Sequence, residues 1–227
     1  MAKKIYLSPS SQNENAYATG GTTEQIECRE ISEACAVFLR KYGFLVKNAN
    51  YGTMYTRIAE SDKWGADLHV AIHTNATAKH NVTGGTQIYL YKLKDEHKKV
   101  GQAVLNRLAP LTPGKSAEKL KQNSSFYEIK EADAITVYVE CEFHDTKEGS
   151  DFIRSHTTEI GEAIAKGICD YYGVKFAETP KKDDTKTDNT LYCVQVGAYS
   201  KYENAKNKLE SVKSKGFTDA FIAVKKK

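Results

Sequence analysis

The chain has 227 residues, of which 40% are hydrophobic and 27% are charged, and its formal net charge is +4. This composition is ordinary for a soluble protein and leaves room for one sizeable domain and a small one. No apolar run approaches the roughly 20 residues that a membrane-spanning helix needs. We therefore expect neither a membrane nor a nucleic acid as a partner.

The charge is distributed unevenly. Residues 190–227 carry eight lysines against three acidic residues, which gives +5, whereas the first 189 residues sum to −1. An anionic partner is therefore expected at the C-terminal end of the chain.

The start of the chain and the cysteines both predict a reducing compartment. Only a short apolar stretch precedes Ser8, so we expect no secretory leader and synthesis in a cytoplasm. The five cysteines are odd in number and form no C-x-x-C pair, which favours free, buried thiols. They are Cys28, Cys35, Cys141, Cys169 and Cys193.

Predicted strands and helices alternate through the first three quarters of the chain. The apolar runs that predict strands are Lys4–Leu7, Phe44–Val46, Leu68–His73, Gly85–Tyr91 and Ala134–Phe143. Helical periodicity runs from Thr23 to a stop at Gly43, over Glu96–Leu108, and over Glu148–Tyr172. This order predicts an α/β fold with a mostly parallel sheet flanked by helices, over residues 1–175.

The end of the chain has a different composition. Residues 176–189 are almost wholly polar and include a proline, which predicts a linker. Beyond it, Leu191–Ala198 and Phe217–Val224 are predicted strands on either side of a helix over Ala205–Ser214. The tail, residues 190–227, is therefore predicted to be a small β-α-β domain.

Polar side chains cluster where the predicted strands end, and the carboxyl ends of parallel strands are where α/β folds bind ligands. A histidine, a carboxylate at a helix N-terminus and a strand-borne glutamate at one edge form a zinc-hydrolase arrangement. Spacing alone leaves open that these are solvated loop residues. The positions are Ser8–Gln12, Thr22–Glu24, His73–Asn75, and Glu140 with Glu142.

Four sequence segments favour the zinc-hydrolase arrangement over solvated loop residues. They are Lys-Ile-Tyr-Leu-Ser-Pro-Ser-Ser-Gln, Thr-Thr-Glu opening a helix, Ile-His-Thr-Asn-Ala, and Val-Glu-Cys-Glu-Phe. In this order they resemble the zinc N-acetylmuramoyl-L-alanine amidases of phages and Gram-positive bacteria, over about residues 3–174. The resemblance implies that Glu24 and His73 bind zinc, that Glu140 is catalytic and that Asn75 binds substrate. It also implies hydrolysis of the amide bond between N-acetylmuramic acid and L-alanine in peptidoglycan, as in endolysins and autolysins.

One departure concerns the metal. The family places its first zinc histidine in the loop after the first strand, yet this sequence has no histidine before His69. Gln12, through its carbonyl oxygen, is the predicted replacement, with the Ser11 hydroxyl as the alternative; both are weaker ligands than imidazole. His69 lies four strand residues from His73, about 13 Å away, so we expect it in a second layer or in the core. The alternative function is a wall-binding protein with a degenerate metal site.

A second departure is Glu142, which stands where the family has glycine. We expect its side chain to point into the cleft beside Glu140. There it would contact substrate, or as a second carboxylate it would raise the pKa of Glu140, which suits a group that accepts and donates a proton.

The tail contains Leu-Tyr-Cys-Val-Gln-Val-Gly-Ala-Tyr-Ser and Lys-Gly-Phe with the following Ala-Phe-Ile. These segments resemble one half of a SPOR (sporulation-related repeat) domain, which binds peptidoglycan glycan strands. Gln195, Tyr199 and the lysines are candidate glycan contacts; the alternative is a solvated basic face without specific binding. Because a lone β-α-β unit leaves two strand edges unpaired, we also predict a homodimer through the tail.

Overall fold

The computed structural model describes residues 2–77, 84–177, 195–214, 217 and 220–224. Contacts divide the chain into two units, Met1–Glu178 and Thr179–Lys227. The strands of the first unit are β1 Lys4–Pro9, β2 Leu45–Asn48, β3 Leu68–Asn75, β4 Gln87–Leu90, β5 Lys119–Gln122 and β6 Ile135–Phe143. Its helices are α1 Glu24–Lys41, α2 Met54–Trp64, α3 Asp95–Leu108, α4 Tyr127–Glu131, α5 Lys147–Ser155 and α6 Thr157–Tyr172. None of the helices in the described ranges is long and apolar enough to cross a membrane.

The strands form one six-stranded sheet in the order β2-β1-β3-β6-β4-β5. Four of the five pairings are parallel, and β4 pairs with β6 in the antiparallel sense. The predicted α/β fold with a mostly parallel sheet is confirmed.

The core lies between the sheet and one layer formed by α1, α3 and α6. Side chains alternate between the faces of a strand, so Val137 and Val139 of β6 enter this core while Tyr138 and Glu140 lie on the opposite face. The four described cysteines are free and buried, as predicted, and Cys193 lies outside the described residues.

Three elements were not predicted, and one predicted helix is divided. Helix α2 starts at the cap residue Thr53 and ends at Gly65, but few of its side chains are apolar and buried, so its periodicity is weak. The short β5 and α4 gave no clear pattern either. The predicted helix over 148–172 breaks at His156, because Ser155 Oγ and His156 Nδ1 occupy the carbonyl oxygens of Asp151 and Phe152.

In the second unit the structure describes a helix, α7, over Tyr202–Lys213. Residues 195–200 and 220–224 form no strand, so the predicted tail strands are wrong over these residues; residues 191–194 lie outside the described part. The strand edges that motivated the predicted homodimer are thus missing there. The predicted linker begins with Phe176, which packs against Phe38 and Tyr42 of the first unit, and residues 178–189 are not described.

The contact between α1 and α6 depends on Gly161. A Cβ atom at this position would clash with the carbonyl oxygen of Ile31 and lie 2.8 Å from Cβ of Ala34. Gly161→Ala should therefore lower the free energy of unfolding by about 1–3 kcal/mol, the usual cost of overpacking. Urea denaturation followed by the fluorescence of Trp64, the single tryptophan, measures it in the first unit. Thr158→Ala, at an exposed position of the same helix, is the control; equal midpoints for the two variants would contradict the packing argument.

Candidate active site

The face of the sheet opposite the helical core carries polar and aromatic side chains. Tyr6 of β1 and His69 of β3 are fully buried on it under α2 and α4. Further along, Tyr138 and Glu140 of β6 are only partly buried. The face is therefore closed at one end and open at the other, towards the carboxyl end of β3, where ligands bind in such sheets.

His73 and Glu24 meet at this open end. His73 comes from β3, and Glu24 is the first residue of α1, so a strand and a helix each contribute one side chain. Glu24 Oε1 lies 2.8 Å from His73 Nδ1 and accepts a hydrogen bond from the backbone N–H of Thr74 at 3.4 Å. Both residues are buried: 8% of the surface of His73 and 1% of the surface of Glu24 are exposed. The structure thus brings together two of the predicted metal ligands.

Each of these groups favours the charged form of the other. Burial raises the pKa of Glu24, but the hydrogen bond and charge of His73, with the hydrogen bond from Asn15, leave it below its ordinary value. Burial lowers the pKa of His73, but the hydrogen bond that it donates to Glu24 and the charge of Glu140 leave it above its ordinary value. Without a metal ion the two groups form a hydrogen-bonded pair, and the proton between them would have to leave before His73 Nδ1 could bind a metal.

Gln12 is the third side chain at this point. Its Nε2 lies 3.4 Å from His73 Nδ1, and Asn15 Nδ2 donates to both Gln12 Oε1 at 3.1 Å and Glu24 Oε2 at 2.6 Å. The loop that contains Gln12 is held in place because the backbone carbonyl oxygen of Gln12 accepts a hydrogen bond from the backbone N–H of Gln25, in the first turn of α1. Gln12 and Ser11, the alternative ligand, are both exposed, and of these two only Gln12 has a contact with His73 among the described residues.

The donor set fits a metal with one weak ligand. Catalytic zinc sites have three protein ligands and an open position, and no group of three His, Cys, Asp or Glu side chains suited to a metal occurs in the described residues. Glu24 and His73 supply two strong donors whose facing atoms are 2.8 Å apart. Rotating the Gln12 amide by half a turn would present a neutral carbonyl oxygen to the same point, at the cost of the hydrogen bond from Asn15 Nδ2 to Gln12 Oε1.

Glu140 lies on the strand next to His73, directly opposite it in the parallel register of β3 and β6. Its Oε2 atom is buried and has no hydrogen-bond partner among the described residues. Burial raises the pKa of Glu140 to about 8; the charge of Glu24 adds to this, while those of His73 and Lys121 oppose it. The result is a carboxyl group that titrates near neutrality, as a general acid–base group should.

The predicted position of Glu142 is wrong. Glu142 is 1% exposed, and its carboxylate accepts backbone N–H groups from Gly85 at 2.6 Å, Phe143 at 2.8 Å and Gly114 at 3.0 Å. The cause is a register shift, since Asn75 pairs with Phe143 two residues after His73 pairs with Glu140. The extra residue on β6 breaks the alternation of sides. Glu142 therefore ties two loops together, and burial, not Glu142, is the main cause of the raised pKa of Glu140.

A group of polar side chains extends from Glu140 across β4 and β5. Gln87 of β4 is paired with Glu140, and its Oε1 atom accepts hydrogen bonds from Lys121 Nζ at 2.8 Å, Tyr89 Oη at 2.8 Å and Asn75 Nδ2 at 3.3 Å. Asn75, a predicted substrate contact, thus belongs to this group of polar side chains, which forms the floor of the cleft beyond Glu140. Its Oδ1 atom accepts a hydrogen bond from the backbone N–H of Ala76. The sequence did not single out Gln87, Tyr89 or Lys121. The alternation of Lys119 and Lys121 was the available signal, on a strand too short to recognise.

Two further histidines support the site from behind. His69 lies between Ser61 Oγ at 3.0 Å and Glu128 Oε1 at 2.8 Å and is fully buried, in agreement with the prediction of a second-layer or core histidine. His144 is buried because the chain turns after Phe143, and its Nδ1 lies 2.9 Å from Thr74 Oγ1. Neither ring contacts the Glu24–His73 pair directly in the described contacts.

Comparison with known proteins decides the family. A family model described as N-acetylmuramoyl-L-alanine amidase matches residues 8–170, well over half of the chain. The chain belongs to the N-acetylmuramoyl-L-alanine amidase family. The predicted enzyme class, a peptidoglycan amidase, is confirmed.

Individual relatives agree with this assignment. The chain is 25% identical to the sporulation-specific N-acetylmuramoyl-L-alanine amidase of Bacillus subtilis (strain 168) over 240 residues, which cover 98% of this chain and 85% of the relative. The amidase AmiC2 of Nostoc punctiforme has a TM-score of 0.66 at 19% identity, covering 75% of this chain and 97% of that one. The catalytic domain of CwlV from Bacillus (Paenibacillus) polymyxa var. colistinus has a TM-score of 0.67 at 16% identity, covering 76% and 99%. The two structures share the amidase fold.

The tail of the amidase is confirmed as SPOR-related, because a model described as SPOR domain matches residues 188–227. Gln195 and Tyr199 are exposed and precede α7 in the second unit. Their roles as glycan contacts stay predictions.

The buried pair of His69 and Glu128 under the amidase site predicts a pH-dependent stability. Burial raises the pKa of Glu128, but the hydrogen bond and charge of His69 leave it below its ordinary value of 4.5. A carboxyl whose pKa is lowered by folding contributes stability above its unfolded-state pKa and loses it as the pH falls through the folded-state value. Glu128→Gln should therefore cost about 1–3 kcal/mol at pH 7 and much less near pH 3.

Urea denaturation at the two pH values, followed by Trp64 fluorescence, tests this. Glu131→Gln, at the exposed end of the same helix, is the control and should change the stability little at either pH. A cost of Glu128→Gln that is the same at both pH values would show that the charge of Glu128 does not stabilise the fold.

Proposed function

We propose that Glu140 is the proton carrier in hydrolysis of the amide bond between N-acetylmuramic acid and L-alanine, beside a zinc ion held by Glu24, His73 and Gln12. The observation that carries this proposal is the unpartnered, buried Oε2 atom of Glu140, on a carboxyl with a pKa of about 8, next to His73. A buried polar atom without a partner is costly in a folded protein and is typical of a functional position.

The residues around the metal position have distinct tasks. When bound, zinc polarises the carbonyl of the amide and stabilises charge on its oxygen. Glu24 and His73 supply the strong donor atoms, and Asn15 orients Glu24 through its Nδ2 group. Tyr138 stacks on the His73 ring with centroids 4.4 Å apart and so fixes its plane.

Glu140 moves one proton. As the water attacks the carbonyl carbon, Glu140 takes a proton from it and then donates that proton to the nitrogen of the departing L-alanyl peptide. The bond between carbonyl carbon and nitrogen breaks, which leaves a free amine on the peptide and a carboxylic acid on the lactyl group. The second proton of the water stays on this acid and is then lost to solvent, which gives the carboxylate. A pKa near neutrality allows one group to perform both transfers.

The SPOR-related tail holds the enzyme on its polymeric substrate. Its excess of lysines suits an anionic cell wall, and Gln195 and Tyr199 are the proposed glycan contacts. A tethered catalytic domain works at a raised effective concentration of substrate. Synthesis in the cytoplasm, with action on the wall after release, belongs to the same proposal. The homodimer through the tail stays a prediction without structural support.

The proton carrier is tested by Glu140→Gln, which keeps the shape of the side chain and removes its ability to accept a proton. Lysis of purified walls should fall by at least about a hundredfold, the usual contribution of general acid–base catalysis. Wall binding in a pull-down assay should persist because the tail is unchanged. Assignment of the lactyl carboxyl and L-alanine amino groups that are released identifies the bond that the unmodified enzyme cuts.

Exposed Glu118→Gln serves as the matched control and should lyse walls at the native rate. Native activity of Glu140→Gln would remove Glu140 from the mechanism. Wall binding by the native chain without any released amino groups would instead support the non-catalytic wall-binding alternative.

The weak third ligand predicts that the metal affinity depends on Gln12. A chelator should abolish lysis and added zinc should restore it. Gln12→Ala should weaken zinc binding by about tenfold or more, and Gln12→His should strengthen it, since imidazole is the better ligand. Competition with a chromogenic chelator measures both affinities, with Lys130→Ala as the surface control. Unchanged affinity in both Gln12 variants would exclude Gln12 from the metal site.

A further inference from the structure

The floor of the cleft beyond Glu140 contains a lysine without an acidic partner. Lys121 is partly buried, and its Nζ atom donates to two neutral oxygens, Gln87 Oε1 at 2.8 Å and Tyr89 Oη at 3.0 Å. No carboxylate within the described ranges lies at salt-bridge distance from it. A partly buried ammonium group surrounded by neutral acceptors is suited to bind an anion.

The strand order fixes where this charge lies. Glu140 is opposite His73 on one side and opposite Gln87 on the other, so the three side chains follow one another across β3, β6 and β4. Neighbouring strands are about 4.8 Å apart. Because the ammonium group of Lys121 donates a hydrogen bond to Gln87 Oε1, it lies on the side of Glu140 that faces away from the His73–Glu24 pair.

Aromatic rings enclose the same part of the cleft. Phe126 packs against Tyr89 and Tyr138 with ring centroids 5.2 and 5.1 Å apart. The Lys121 Nζ atom also lies 5.0 Å from the centre of the Tyr89 ring. Rings of this kind exclude water and strengthen the interaction between a fixed charge and a ligand of opposite charge.

We propose that Lys121 binds the free α-carboxylate of the second residue of the departing peptide and so selects peptidoglycan in which this group is not amidated. The inference rests on the proposed function, since Glu140 must face the departing nitrogen and the peptide must then extend past Gln87. That second residue, a glutamate, is linked through its γ-carboxyl group, which leaves its α-carboxylate available. Two residues span at most about 7 Å, which matches one strand spacing plus a hydrogen bond.

The test uses two soluble muramoyl dipeptides that differ only in this group, N-acetylmuramoyl-L-alanyl-γ-D-glutamate and its α-carboxamide. The native enzyme should cleave the carboxylate with a kcat/KM at least about tenfold higher, mainly through KM. Lys121→Met should remove this preference, so that both substrates are cleaved with the same kcat/KM. The ratio of the two values is the measure, because the charge of Lys121 also lowers the pKa of Glu140 and its loss can change both rates together. Lys121→Arg should keep the preference. Lys98→Met, on α3 behind the sheet, is the matched control and should behave as the native enzyme.

Calorimetry with the product L-alanyl-γ-D-glutamate gives a second measurement that does not depend on turnover. Native protein should bind this dipeptide at least about tenfold more tightly than its carboxamide, and Lys121→Met should bind both equally. A native enzyme without preference, or a Lys121→Met variant that loses both substrates equally, would overturn the proposal. If neither muramoyl dipeptide is cleaved, the proposed function fails, and the binding comparison still decides whether Lys121 recognises the carboxylate.

Discussion

The hydrogen-bonded register between β3 and β6 determines the rest of the site. It sets His73 opposite Glu140, so that an imidazole and a carboxyl group become neighbours without bonding to each other. The register is specified by the apolar side chains on the other face, including Val70 and Val139, which must enter the helical core. A slip of one residue would turn Glu140 into that core and Val139 out of it. The packing of the core and the geometry of the chemistry are therefore one constraint.

Folding shifts the pKa values of Glu24 and Glu140 in opposite directions. Glu24 gains a hydrogen bond from His73 and another from Asn15, which keep its pKa below the ordinary value despite burial. The Oε2 atom of Glu140 is buried without a hydrogen-bond partner among the described residues, and the pKa of Glu140 rises. Such a separation of pKa values assigns one carboxylate to permanent charge and the other to proton transfer. The difference comes from hydrogen bonding, because burial acts to raise both pKa values.

The sequence predicts the parts of the structure that rest on long apolar patterns. The central strands and α1, α3 and α6 have such patterns, and the carboxyl ends of β1 and β3 then bring Gln12, Glu24 and His73 to one edge. The position of Glu142 was not predictable from alternation, since a single extra residue on β6 reverses it. Lys121 was not predictable as a cleft residue, because β5 has only four residues. Its position in the cleft depends on the pairing of β5 with β4, which is remote in sequence.

The sheet has two parts, which are joined by the antiparallel pairing of β4 with β6. Strands β2, β1, β3 and β6 form one parallel part, and β4 and β5 form the other. The strands that carry His73 and Glu140 belong to the four-stranded parallel part, whereas Gln87, Tyr89 and Lys121 belong to β4 and β5, which join it along the edge of β6. Neither β4 nor β5 pairs with β3, so their cleft-facing side chains can be exchanged without altering a strand pairing of β3. An enzyme built this way can exchange its preference for one wall chemistry against another while its reaction centre stays the same.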